Sequence, residues 1–238
     1  MILRPLAAMV SGRLRAYRNT GTYFVPERSA FPGNLLIIHP RLASILAFPT
    51  DFTYFSGAMT RISFDTPCYF FTSVAHHRLP IFQTDKLKEI MCSALNDARR
   101  SSGMLYFAYV IMQEHFHILT DGKRSPSDSL RFLNGVSARK IIDYLKENEF
   151  DASLAKLKQA KKKDGWQYSV WEHHSDKFLL TSDSKFMEKV NYIHNNPVEE
   201  GLVHRPEDYL YSSSRIWLKK PLDVEPLEMD IGDIDWRR

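Results

Sequence analysis

The chain has 238 residues, 44% of them hydrophobic and 25% charged, with a formal net charge of +4. That balance excludes a disordered chain and is enough to bury the core of one domain with an extension. Two cysteines without metal-type spacing, Cys68 and Cys92, exclude a disulfide framework and point to a reducing cytoplasm.

Charge is uneven along the chain. Residues 122–163 hold eleven Lys/Arg against five Asp/Glu, whereas the segment from Pro221 onward holds six Asp/Glu against two Arg. A basic middle and an acidic end suit either a surface that faces a polyanion or a solvated basic helix face. Arg4 and a short apolar run broken by Pro5 make a poor signal peptide. The longest apolar stretch, 35–48, is interrupted by His39, Pro40 and Arg41 and falls short of the roughly 18 apolar residues of a membrane span. The expectation is a soluble protein.

In chain order, residues 1–60 are punctuated by five prolines and show no persistent period, so they read as an N-terminal extension of unassigned role. The run CYFFTSVA at 68–75 predicts a strand. Thr84 can cap a helix to about residue 102, with the stripe Leu87, Ile90, Met91, Leu95 and Ala98 and Gly103 at its end. Residues 105–112 and 115–119 read as two apolar strands separated by Gln113-Glu114. A turn at 121–127 leads to a second helix, from Ser127 or Asp128 to about 148. Residues 156–163 read as a lysine-rich linker, 166–172 as a strand, and 183–195 as a third helix stopped by Pro197. This order predicts an α+β fold, one mostly antiparallel sheet with helices packed on it. The domain spans 61–215, and an acidic C-terminal tail follows at 216–238.

The chemistry concentrates in LYFAYVIMQEHFHIL, residues 105–119. Side chains alternate along a strand, so His115 and His117 share one face and Phe116 takes the other. Two imidazoles about 7 Å apart along a strand can hold one metal ion if a third ligand arrives from elsewhere. The competing reading is two histidines on the wet face of an antiparallel strand. Downstream, Phe186, Val190 and Ile193 define the buried stripe of the third helix. Tyr192 and Asn196 lie one turn apart on its flank, where the core does not need a tyrosine. Tyr192 is then either a projecting hydroxyl or an amphipathic residue at the sheet edge, and Asn196 suits a helix end before Pro197.

Together these segments resemble the single-tyrosine HUH transposases, and most of all their REP-associated tyrosine transposase branch. In that family an apolar strand runs into Met-Pro-Asn/Glu-His-x-His, matched here by Met112, His115 and His117. A later helix carries Tyr-Ile-x-x-Asn-Pro-Val-x-x-Gly-x-Val, matched by Tyr192, Ile193, Asn196, Pro197, Val198, Gly201 and Val203. The stretches CYFFTSVAHHRLPIF, Trp166-Gln167, Trp171-Glu172-His173 and RPEDYLYSS are also family-like, so the resemblance covers about 64–214. Gln113 departs from the usual proline, and residues 1–60 have no counterpart in it.

The resemblance implies a ferredoxin/RRM-like HUH endonuclease fold with a separate C-terminal catalytic helix. It implies that His115 and His117 bind a divalent metal, Mg²⁺ or Mn²⁺, with Asn196 as third ligand. Tyr192 is then the nucleophile that cuts and rejoins single-stranded or hairpin DNA through a 5′-phosphotyrosine. Two imidazoles with one oxygen suit those ions. Lys123, Arg124, Arg131, Arg139 and Lys140, with Lys161, Lys162 and Lys163, are the candidate phosphate contacts. His76, His77, His173, His174 and His194 are read as non-ligands, and Glu114 as a turn residue. Both monomers and dimers with shared sites fit the family. Two other readings compete: a domesticated hairpin-binding protein without catalysis, and an RNA-binding α+β module with exposed aromatics in mid-sheet and no metal.

Overall fold

A computed structural model describes Ile62, residues 65–163 and 166–232, and Ile234. The N-terminal extension lies outside the described residues. The fold is α+β, built on one antiparallel sheet in the order β2-β3-β1-β6. Its strands are β1 (Cys68–Val74), β2 (Tyr106–Ile111), β3 (His115–Asp121) and β6 (Asp176–Leu180). β2 and β3 are buried along their whole length. Gln113 and Glu114 make the tight turn between them, closed by the Met112 N–H to the His115 carbonyl at 2.8 Å.

Helices pack on both faces. On one lie α1 (Asp85–Ser102) and α2 (Pro126–Glu147). Thr84 caps α1 by accepting the Leu87 N–H, and Gly103 ends it at φ 69, a left-handed conformation that a side chain would strain. α2 starts earlier than its apolar period suggests, because Ser125 accepts the Asp128 N–H and Pro126 occupies the first turn, where its missing N–H costs nothing. Ser73 of β1 donates to Asn134 of α2 at 2.8 Å, and the Trp171 indole donates to Ser137 at 3.0 Å. Phe116 points to this same face and meets Trp171 edge-on at 5.1 Å.

The opposite face is crossed by α4 (Asp183–Glu199), which packs on β2, β3 and β6. α4 runs past Pro197, where the sequence predicts a stop. Pro197 sits in the last turn, so its ring removes only one helical bond. The end is closed by the Glu200 N–H to Asn196 O and the Gly201 N–H to Val198 O, each at 3.0 Å.

Two further departures concern the middle of the chain. The stretch read as a linker, 156–163, instead holds the end of α3 (Asp151–Leu157) and all of β4 (Lys158–Lys163), and β4 pairs with β5 (Trp166–Tyr168) in a separate hairpin. Leu154 and Leu157 anchor α3 by burial. The strand read at 166–172 therefore breaks after Tyr168 and resumes as a single bridge, Trp171 to Ala75.

The chain after α4 closes one edge of the sheet. The Ile111 N–H donates to Tyr211 O at 2.9 Å and the Ser213 N–H to Tyr109 O at 3.1 Å. Farther on, Asp230 both gives its N–H to Tyr106 O at 2.8 Å and accepts the Tyr106 N–H on its carboxylate at 2.9 Å. Arg99 grips Asp230 and Glu228. The acidic segment is thus strapped along β2, and its charge is matched by the arginines near the end of α1. Covering an edge in this way blocks stray strand pairing. At the other edge, among the described residues, β6 pairs only with β1, and its Phe178 and Leu179 are half-exposed. Among the described residues no helix is long and apolar enough to cross a membrane.

Candidate active site on the α4 face of the sheet

The β1–β3 register pairs Thr72 with His117 and Val74 with His115, so these four side chains share one face, the one that α4 covers. His115 and His117 are 9% and 3% exposed, with ring centroids 4.8 Å apart. They are not on a wet face. α4 brings two groups onto them. Asn196 Oδ1 lies 3.4 Å from His115 Nε2, and the Tyr192 ring centroid lies 5.1 Å from that of His117. Tyr192 is 40% exposed while Asn196 is 6% exposed, so the tyrosine opens to solvent and the amide faces inward. The structure thus gathers all four residues that the sequence singles out.

Each imidazole is held by its surroundings. Phe70 stacks on His117 with centroids 5.3 Å apart and planes inclined by 23°. Thr72 Oγ1 lies 2.8 Å from His117 Nδ1. With the ring hydrogen on Nδ1, the imidazole donates to the threonine and its Nε2 lone pair is free. That Nε2 is buried and has no hydrogen-bond partner. A buried polar atom without a partner is costly, and a cation beside it would remove the cost. Burial, with His115 and Lys189 adding repulsion, holds the His117 pKa down at about 3. Burial also lowers His115, partly opposed by its contact with Asn196. Both rings are neutral at neutral pH, the form in which imidazole binds metals. Two imidazole nitrogens and one amide oxygen fit a divalent cation of the Mg²⁺ or Mn²⁺ type that keeps several waters.

Thr72 and Lys189 escape the sequence reading. The signal for Thr72 was a hydroxyl inside a largely apolar strand, on the face opposite its neighbour Ser73. For Lys189 it was its place one turn before Tyr192 on the same helix.

A second group of metal-capable atoms involves two histidines that the sequence reading sets aside. His76, His77 and Glu172 bring one ligand atom each within 4.8 Å of one another. Their geometry has a structural cause. His77 and Arg78 adopt φ 53 and 52, and the Glu172 carboxylate accepts the His77 N–H at 2.6 Å, bracing this left-handed turn. His194, by contrast, is a core residue bonded to Ser213 at 2.9 Å, and Glu114 pairs with Arg78 at 2.8 Å.

The described candidate phosphate contacts, Lys123, Arg124, Arg131, Arg139 and Lys140, do not gather at the histidines. Arg131, Arg139 and Lys140 belong to α2, with the sheet between them and Tyr192. Lys140 is tied to Asp97 and Ser93 of α1. Arg124 donates to Ser102 O at 2.6 Å and lies over the Phe132 ring, and Lys123 pairs with the buried Asp121 at 3.8 Å. The backbone of Lys161, Lys162 and Lys163 belongs to β4.

No protein-family model matches the chain. It is similar to a protein of Haemophilus influenzae provisionally named a REP-associated tyrosine transposase. The two are 26% identical over 149 residues, covering 61% of this chain and 78% of that protein. Among solved structures it overlays on a REP-associated tyrosine transposase bound to a REP hairpin, with a TM-score of 0.47 and 15% identity, over 69% of this chain and 86% of the other. It also overlays on a provisionally assigned transposase of Deinococcus radiodurans R1, with a TM-score of 0.38 and 17% identity, over 54% and 88%. The chain resembles the REP-associated tyrosine transposases.

Proposed function

We propose that this chain is a divalent-metal-dependent tyrosine transposase of the HUH type, acting on single-stranded or hairpin DNA in the cytoplasm. The observation that carries the proposal is the buried, partnerless Nε2 of His117 beside the Tyr192 ring and close to Asn196. His115, His117 and Asn196 would hold the cation, which when bound would supply positive charge at the scissile phosphate.

Tyr192 is the nucleophile. A free phenol has a pKa of about 10, so it attacks poorly at neutral pH unless its phenolate is favoured. In the proposed step the Tyr192 oxygen, its proton lost to solvent, forms a bond to phosphorus. The bond from phosphorus to the 3′ oxygen breaks, and that oxygen leaves as a 3′-hydroxyl after taking up a proton. The strand end stays on Tyr192 as a 5′-phosphotyrosine. Attack by another 3′-hydroxyl reverses the step and rejoins DNA with no external energy source. Thr72 fixes the His117 ring and Phe70 backs it, so the ligands need little rearrangement. Tyr192 lies against His117 of its own chain, which supports attack in cis by a monomer. The RNA-binding alternative needs exposed mid-sheet aromatics, whereas Phe70, Phe71, Tyr106 and Tyr109 are all at most 2% exposed.

The test is incubation with labelled single-stranded hairpins and Mn²⁺ or Mg²⁺, followed by denaturing gels. Wild type is expected to keep label covalently, and Tyr192→Phe to lose it. Hairpin binding with no adduct in either metal would leave a DNA-binding protein without strand transfer.

A further inference from the structure

β6 is an edge strand of the sheet among the described residues, and its register with β1 places Phe178 opposite Phe70, on the face that carries His117. Phe178 is nevertheless 50% exposed. A large aromatic ring left open on an edge strand is a liability for folding and solubility alone. Its surroundings are specific. The Phe178 ring lies 6.0 Å from Phe70, and Phe70 lies 5.9 Å from Tyr192, centroid to centroid. The Lys189 ammonium stands over this group, 5.1 Å from the Phe70 centroid, 5.4 Å from Phe178 and 5.2 Å from Tyr192. Among the described residues no carboxylate forms an ion pair with Lys189. An open ring, a cation and the exposed tyrosine therefore form one continuous strip.

We propose that Phe178 and Lys189 form a nucleotide subsite, in which a base of single-stranded DNA stacks on Phe178 and the neighbouring phosphate meets Lys189. The proposal rests on Tyr192 being the nucleophile, since the subsite then seats the nucleotide that flanks the scissile phosphate. A strand entering over the β6 edge reaches Tyr192 by way of Phe178 and Lys189, both on the same side of the sheet. Phe178 has no hydrogen-bonding group, so the subsite accepts any base, and it requires the base to be unpaired. Sequence choice would then be made elsewhere on the protein, while this strip selects single-stranded over duplex DNA.

The test is binding of a fluorescent single-stranded oligonucleotide to the full chain without metal, across a range of salt. Phe178→Ala should weaken binding roughly tenfold at every salt concentration, and Phe178→Trp should restore it. Lys189→Gln should lower the slope of log affinity against log salt by about 0.7, the value for one phosphate contact on a single strand. Phe178→Ala and Lys189→Gln proteins that bind like wild type would overturn the subsite. So would a Phe178→Ala protein whose only change is its oligomeric state by sedimentation, since Phe178 would then cover a second copy. The two readings fail separately. Loss of affinity in Phe178→Ala alongside a wild type that forms no adduct removes the catalysis and keeps the subsite. Unaltered binding in both variants alongside a wild type that forms the adduct does the reverse. A wild type that binds no single-stranded DNA overturns both.

Discussion

Two histidine pairs among the described residues bring their rings together, and they differ in what holds them. His115 and His117 lie two apart on β3, almost completely buried, with Thr72 on one ring and Asn196 against the other. His76 and His77 are consecutive, their rings 3.9 Å apart because the chain turns left-handed at His77. His77 is exposed, and Glu172 is occupied with the His77 backbone N–H. Proximity is thus similar in both pairs, but direction is not. A strand aims alternate side chains the same way whatever their chemistry, whereas a turn brings neighbours together as a by-product of its own geometry. Of the two pairs, the strand pair is the one that lies against the exposed Tyr192.

The comparison is broken most directly at His117. His117→Ala should abolish adduct formation and the rise in melting temperature caused by Mn²⁺, a loss of at least about 100-fold in metal affinity, while hairpin binding persists. Retained Mn²⁺ stabilisation in that variant would move the metal to His76 and His77.

Acid acts on two buried histidines of the metal-free protein, one on β3 and one on α4. His117 and His194 have folded-state pKa values of about 3, both lowered chiefly by burial. Their unfolded values are near 6.5, so below that pH the unfolded chain binds protons that the folded chain refuses. Stability is therefore fully present above about pH 6.5 and declines as pH falls toward 3. Between pH 7.5 and 5.5 the two groups together should remove about 3 kcal/mol. Thermal melts should show a drop of roughly 5–10 °C. A flat melting temperature over that range would mean that the two rings are not buried as neutral species.

Thr72→Val sharpens the same comparison from the support rather than the ligand. The swap keeps the shape and removes the hydroxyl that fixes the His117 ring. Mn²⁺ affinity, read by titration calorimetry, should fall roughly 10- to 100-fold. Unchanged affinity would show that packing on Phe70 alone orients the ring.

How far the sequence foretold this arrangement depended on burial. β1, α1 and α2 declare themselves because one face of each packs on the core, and β2 and β3 because burial on both faces makes them nearly continuous apolar runs. The pair His115 and His117 was visible as alternation, and Tyr192 as a tyrosine off the buried stripe. β6 was missed because four of its five residues are exposed, so Asp176, Lys177, Phe178 and Leu179 carry no period. β4 was missed because its lysine-rich sequence, KQAKKK, carries no apolar period. The strap made by Arg99 and Asp230 joins residues 131 positions apart through charge, and no local pattern encodes such a pairing. Thr72 was legible only in hindsight, since its partner lies on another strand.

The smallest expected effect is at the turn. His77→Gly removes one of the two imidazoles there and leaves β3 untouched. Relief of a left-handed side chain is worth about 1 kcal/mol, and the extra freedom of glycine in the unfolded chain takes back roughly the same amount. The melting temperature should move by no more than about 3 °C, and the Mn²⁺-induced rise should be the same as in wild type. Loss of that rise would make the turn a true metal site. It would also mean that Glu172 turns from the His77 backbone toward the ion, leaving a left-handed turn with no brace.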